Sequence, residues 1–296
     1  MTTEDVVMVP PPDAPGELAD QRVNLTGGAV RRFMKNKPAV IGLALIILIA
    51  LAAIFGPMLA QDPNKTDIAQ AFSYSGHLLG TDDLGRDLLA RVLAGARVAL
   101  TVAVLATLLG LVLAMILGVS AGFIGGLYDE LLSRVFDVIA TFPTILMAVL
   151  IVVALGPSLT GVIIAIGIAV TPRYGRQFRV LTKSCVQRNY IQAVIAQGYS
   201  SPRVVLRHVL PNILLPVAVI AGGNMGRAAV SEASLSFLGA GVQQPNASWG
   251  NMIAQGAPFL QVHPGICLYP GIVLCVLAIS FSFVGDALRD AFDLTE

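Results

Sequence analysis

Charge is scarce in this 296-residue chain. Asp, Glu, Lys and Arg make up 12% of it and hydrophobic residues 55%, where a soluble domain carries about twice that charged share. Cysteine is nearly absent too. Cys185, Cys267 and Cys275 show no CxxC or other metal spacing, which argues against a disulfide framework or a structural zinc site. Cys267 and Cys275 share one apolar segment and are expected to be small lipid- or core-facing side chains. His77, His208 and His263 are too dispersed for a metal cluster. No GxxxxGK[ST] phosphate loop is present, so the chain does not hold ATP by that mechanism. HExxH, GxSxG and paired Cys/His sets are missing as well, which leaves a membrane enzyme without a site. No catalytic residue, metal or cofactor of its own is therefore expected, and a net charge of +1 gives no reason to expect nucleic acid.

What is abundant is apolar sequence gathered into long runs. A bilayer span needs roughly 20 mostly apolar residues, because no water is available to the backbone there. Six runs meet that condition, near 39–60, 98–122, 136–155, 159–177, 209–228 and 266–285. The chain is expected to be an all-α polytopic membrane protein. Residues 228–241 either extend the fifth span or form a short re-entrant piece. Residues 1–25, with Pro10-Pro11-Pro12 and few large apolar side chains, predict a disordered cytoplasmic tail rather than a secretory leader. Residues 26–97 then hold the first span with an extracytoplasmic segment, and 98–296 the core of the molecule.

Basic residues give the expected orientation. Arg173, Arg176, Arg179, Lys183, Arg188, Arg203 and Arg207 fall between the fourth and fifth spans, a segment without an acid. The stretch from Gly241 to Pro264 has no charge at all. Together with Arg31, Arg32, Lys35 and Lys37, this predicts both termini and the 173–208 loop on the cytoplasmic side of the membrane. Within that loop, Tyr190–Gln197 predicts a short helix stopped by Gly198. Ser201 as N-cap with Pro202 at the first helical position predicts a second one running to Leu210, and Pro211 marks the entry to the fifth span. Two short helices on a glycine turn form a lever that another protein could grip.

Gln192-Ala193-Val194, Gly198 and Leu210-Pro211 have the spacing of the EAA loop and resemble it, with Gln192 in place of the usual Glu and Val194 in place of Ala. That loop belongs to ABC importer permeases. His77-Leu78-Leu79-Gly80-Thr81-Asp82, Gly85-Arg86-Asp87 and Gly95-Ala96-Arg97 resemble the signature after the first span of dipeptide/oligopeptide permeases. Phe142-Pro143, Gly156-Pro157-Ser158-Leu159, Pro172-Arg173-Tyr174, Glu232 through Gly239, Ser248-Trp249-Gly250 and Gly285-Asp286 fit the same pattern. The likeness covers roughly residues 30–293 and is to the C-type membrane subunit of a peptide importer. It implies the type I ABC importer permease fold, with the 185–211 segment docking on an ATPase. It also implies a second, different permease, two ATP-binding domains or subunits that bind the ATP, and an extracytoplasmic substrate-binding protein. Related permeases import nickel or glutathione, so the same architecture allows those cargoes. A free-standing secondary transporter is the alternative of another class, although no repeat between the halves supports it.

Several residues carry two readings. Gly80, Thr81, Asp82, Gly85, Arg86 and Asp87, with Asp83, form either a salt-bridged outer cap or a contact for the binding protein or substrate. Glu232, together with Ser236 and Trp249, lines the translocation path or packs against a partner, since a carboxylate near membrane depth is costly unless paired or wet. Arg134 and Asp137, three apart, predict a pair on one helix face. Arg227, where the family has a small residue, either reaches the outer interface or pairs with Glu232. Arg173, Arg176, Arg179 and Lys183 are expected to set topology and touch lipid headgroups, whereas Arg203 and Arg207 are better placed to meet the ATPase.

Overall fold

The structure is a computed structural model that describes residues 30–292; the expected tail at 1–25 lies outside them. Among the described residues the regular structure is helical, apart from one isolated antiparallel bridge between Thr81 and Asp87. After a short helical stretch at 30–35, the first long helix, α1 (Lys37–Leu59), starts where the side chain of Asn36 accepts from the Ala39 N–H at 3.3 Å. A turn-rich segment leads to α2 (Leu88–Ile124), N-capped by Asp87, whose carboxylate accepts from the Ala90 N–H at 2.7 Å. With 37 residues, α2 is about 55 Å long, well beyond the hydrocarbon thickness of a bilayer. The expected 98–122 span is its interior.

Gly125 and Gly126, both at positive φ, turn the chain into α3 (Gly126–Thr141). Phe142-Pro143 then breaks the helix, because a residue preceding proline is forced to extended backbone. The next helix, α4 (Thr144–Leu155), leaves at 94° to α3. Ser158 caps α5 (Leu159–Val186), accepting from the Gly161 N–H at 3.0 Å.

Past α6 (Asn189–Ala196) comes α7 (Ser201–Gly223), which includes a π turn over Val205–Val209. Then follow α8 (Met225–Phe237), α9 (Trp249–Gly256) and α10 (Gly265–Ala291).

Four of these helices, α1, α2, α7 and α10, are each long and apolar enough to cross a membrane; bent α3–α4 raises the number to five if it is one span. The expected count of six is reached only by adding α5, whose later turns carry Arg173, Arg176, Arg179 and Lys183. The fifth span also differs from expectation. The helix that holds it begins at Ser201 and does not break at Leu210-Pro211, which lies inside continuous helix. The Leu210 N–H bonds the Val205 carbonyl five residues back, and this widened turn relieves the clash that a proline ring makes in a straight α-helix. Residues 225–237 form a separate helix, α8, after a turn at Asn224.

The core is divided into three clusters that share α2. One joins α1, α2, α9 and α10 around Trp249; one joins α2, α5, α6 and α7 around Phe178 and Ile191; one joins α2, α4, α5 and α8 around Ile166 and Leu235. The α2–α5 contact is backbone to backbone: a Cβ on Gly118 would lie 2.4 Å from the Gly175 carbonyl oxygen, the close approach that small residues permit between membrane helices. Outside the clusters, Ile41, Leu48, Phe55, Ile116, Leu146 and Ile272 are exposed, giving the bundle an apolar outer surface.

Candidate functional site

The α6–α7 elbow projects from the end of α5. Its inner side is anchored: Ile191 of α6 and Val204 and Val209 of α7 are buried among Phe178, Cys185 and Val217. Its outer side is open. Gln192, Ala193, Gly198, Ser201, Pro202, Arg203, Arg207 and Pro211 are exposed, and Leu210 is half-buried. The turn depends on Gly198 at φ +81°, with nothing within 4 Å of where a Cβ would sit. The N-cap is Ser200 rather than Ser201, it makes no side-chain cap bond, and Pro202 takes the second helical position. Gln192 Nε2 donates to the Val186 carbonyl at 2.7 Å, a bond that a glutamate there could not make because a carboxylate has no donor. The Arg203 guanidinium lies 5.7 Å from the centre of the Tyr199 ring, within cation–π range.

At the opposite end of α2 the turn-rich segment is knit together by its polar side chains. Asp82 accepts from the backbone N–H of Leu84 at 3.0 Å and of Arg86 at 2.9 Å, and from Arg86 Nε at 2.6 Å. Arg86 also donates to Gln255 Oε1 at 2.9 Å, tying the segment to α9. Arg91 Nε is 3.6 Å from Asp82, and its Nη1 donates to the Pro63 carbonyl at 3.1 Å. Thr81 bonds the Gln70 carbonyl, and His77 bridges Asp87 at 2.7 Å and Gln70 at 2.9 Å. Gly80 and Gly85 have positive φ; a side chain on Gly85 would fall 1.7 Å from the Asp67 carbonyl oxygen. Thr81, Asp82, Arg86 and Asp87 are buried and hydrogen-bonded within this segment, whereas Arg91 Nη2 is buried without a partner among the described residues.

Glu232, Ser236 and Trp249 meet at the same end and are enclosed by the chain itself. Glu232 and Trp249 are 0% exposed and Ser236 3%. Ser236 donates to Glu232 Oε1 at 2.7 Å and accepts from the Val242 N–H at 3.0 Å. The indole of Trp249 donates to the Val92 carbonyl at 2.9 Å and lies against Gly95. Ser248 and Asn251 close a capping box on α9. Burial packs these residues among α2, α8 and α9.

The expected ion pairs are rearranged. Arg134 pairs with Glu130 at 3.0 Å instead of Asp137, because one helical turn of four brings them to the same face. Asp137 reaches across to Arg176 at 2.8 Å. Asp129, which sequence patterning did not single out, is gripped by Arg179, with Nη2 at 2.8 Å, and by Lys183 at 2.5 Å. Arg227 neither reaches the Trp249 end nor pairs with Glu232. It lines a cleft of about 280 Å³ with Arg173, Gln177, Asn224, Asp286 and Arg289, at the end of the bundle where α10 finishes. This grouping left a trace in the sequence. Ile220, Gly223, Asn224 and Arg227 recur at helical spacing, as do Ser282, Gly285, Asp286 and Arg289, but nothing local says that the two stripes meet.

Residues 110–294 match the model of the family described as binding-protein-dependent transport system inner membrane component. Residues 24–78 match the N-terminal TM domain of oligopeptide transport permease C. The dipeptide transport system permease protein DppC of Alkalihalophilus pseudofirmus is 39% identical over 292 residues, covering 97% of this chain and 96% of that protein. The oligopeptide transport system permease protein OppC of Escherichia coli K12 is 42% identical over 270 residues, 90% of this chain and 89% of the relative. The OppC of Bacillus subtilis is 35% identical over 280 residues, 94% and 92% of the two chains. With an all-α, multi-pass architecture and likeness along nearly its whole length, the chain belongs to the binding-protein-dependent transport system inner membrane component family, among its dipeptide/oligopeptide permeases.

Proposed function

We propose that this chain is one of two membrane subunits of an ATP-driven peptide importer and couples a separate ATPase to the translocation path through the α6–α7 elbow. The observation that carries the reading is the two-sided elbow. One face is locked into the helix core by Ile191, Val204 and Val209, while the other, from Gln192 to Arg207, is mostly open. A lever needs both, a rigid attachment and a free contact surface. α7 runs without interruption from the elbow to Gly223, so a push at Arg203 displaces a full membrane helix. ATP binding between two ATPase subunits biases the bundle between two arrangements, and the permease supplies their differential stability. The basic elbow faces the cytoplasm, the Asp82–Trp249 end faces outward, and an external binding protein delivers the cargo. Relatives named for dipeptides and oligopeptides support peptide as cargo in preference to nickel or glutathione.

Affinity purification in mild detergent tests the assembly. A second permease and ATP-hydrolysing chains are expected to co-purify, and the complex to import peptide into proteoliposomes only with ATP and binding protein. Ion-gradient-driven uptake by this chain alone would establish a secondary carrier instead.

A further inference from the structure

The cleft around Arg227 is assembled from three polar stripes on otherwise apolar helices. Arg173 and Gln177 come from α5, Gly223 and Asn224 from the α7–α8 junction with Arg227 one turn later, and Ser282, Asp286 and Arg289 from α10. Its floor is a crossing of bare backbones: a Cβ on Gly285 would lie 2.2 Å from the Gly223 Cα. Among the described residues none of the three arginines has an ion-pair partner, and Asp286, the single acid lining the cleft, pairs with none of them. On the same α5, by contrast, Arg176 and Arg179 are matched by Asp137 and Asp129. Charged groups on membrane helices concentrate along polar pathways because lipid cannot solvate them. Guanidinium groups converging from separate helices suit a planar carboxylate, which they bind with paired N–H donors.

We propose that this cleft is a carboxylate-binding station in the translocation path, where Arg173, Arg227 and Arg289 hold the free C-terminal carboxylate of a peptide in transit. The inference rests on the peptide-importer reading. Gln177 and Asn224 flank the cations with amide donors and acceptors suited to the peptide backbone, and Asp286 offsets part of the positive charge, leaving a lining that suits a singly charged carboxylate. This mixed lining favours a peptide terminus over a lipid phosphate.

The test uses the complete transporter in nanodiscs of zwitterionic phosphatidylcholine, carrying Ser282→Cys on a Cys267→Ser, Cys275→Ser background. A millimolar tripeptide with a free C-terminus is expected to slow maleimide labelling of the cleft by about fivefold, its C-terminal amide by less than about twofold, and Arg227→Gln to abolish the difference while Arg227→Lys partly restores it. Equal protection by acid and amide, or protection by neither, overturns the proposal. So does protection without peptide once phosphatidylglycerol is added, which would assign the cations to a lipid headgroup. ATP-driven uptake by the same complex is read separately. Selective protection without uptake leaves the carboxylate station standing and removes the importer reading.

Discussion

A methyl group on Gly250 would meet the Ala233 carbonyl oxygen at 2.0 Å, with the Ala233 Cα at 2.7 Å. Both lie in helices, so neither can step aside without moving α8 against α9. Gly250→Ala is therefore expected to cost about 1–3 kcal/mol, the usual penalty of overpacking, read as a lower melting temperature of the detergent-solubilised protein. Gly271→Ala is the control. Nothing lies within 4 Å of its added methyl, and alanine is the better helix former by up to about 1 kcal/mol, so the melting temperature should hold or rise. At this scale the sequence told which residue types belong together but not which way they face. Ser248-Trp249-Gly250 and Glu232 were recognisable as a motif. Their complete enclosure was not, because a motif records co-occurrence and burial depends on three helices arriving from distant parts of the chain.

Helix ends were legible where a local cause acts alone. Phe142-Pro143 stops α3, Ser158 opens α5, and Gly198 at positive φ ends α6. Pro211 misled because its local effect is absorbed by the π turn before it, which no residue in the sequence announces. The elbow gives a prediction at the level of elements. A β-branched residue at φ +81° carries backbone strain of about 1–3 kcal/mol, enough to re-aim a two-helix turn but not to unfold the bundle. Gly198→Val should therefore insert normally and leave ATP hydrolysis by the complex intact while ATP-driven peptide uptake falls about tenfold, a typical coupling magnitude; unchanged uptake would remove the lever role. A second prediction concerns the tie between α3 and α5. Asp129→Ala leaves Arg179 and Lys183 without their shared carboxylate, and since both cations are partly solvated the loss is expected at about 1–3 kcal/mol. Arg179→Met in the Asp129→Ala background should cost little more, because the pair acts as one unit. Thermal unfolding of the four proteins in a double-mutant cycle checks this.

Over the whole molecule, the number of membrane crossings is a question of charge as much as length. α5 is long enough at 28 residues, yet its basic second half places its last turns beside the elbow rather than in lipid. The composition foretold an all-α membrane bundle because long apolar runs are visible one residue at a time. The cleft was hidden because it exists only where α5, α8 and α10 converge. The proposed orientation rests on the same asymmetry, since basic segments stay on the cytoplasmic side. Cys185 lies in the basic segment and would be the natural reporter, but it is 2% exposed and packed among Phe178, Ile191 and Val204, so an impermeant reagent should miss it from either side until the protein is denatured. Two exposed positions, Gln192 on the elbow and Ser75 in the outer segment, report properly when each is changed to cysteine in a chain lacking its native cysteines. In intact cells an impermeant maleimide is expected to label Ser75→Cys at once and Gln192→Cys only after permeabilisation. Labelling in the reverse order would put the elbow on the side without ATP, and no ATPase could then push it.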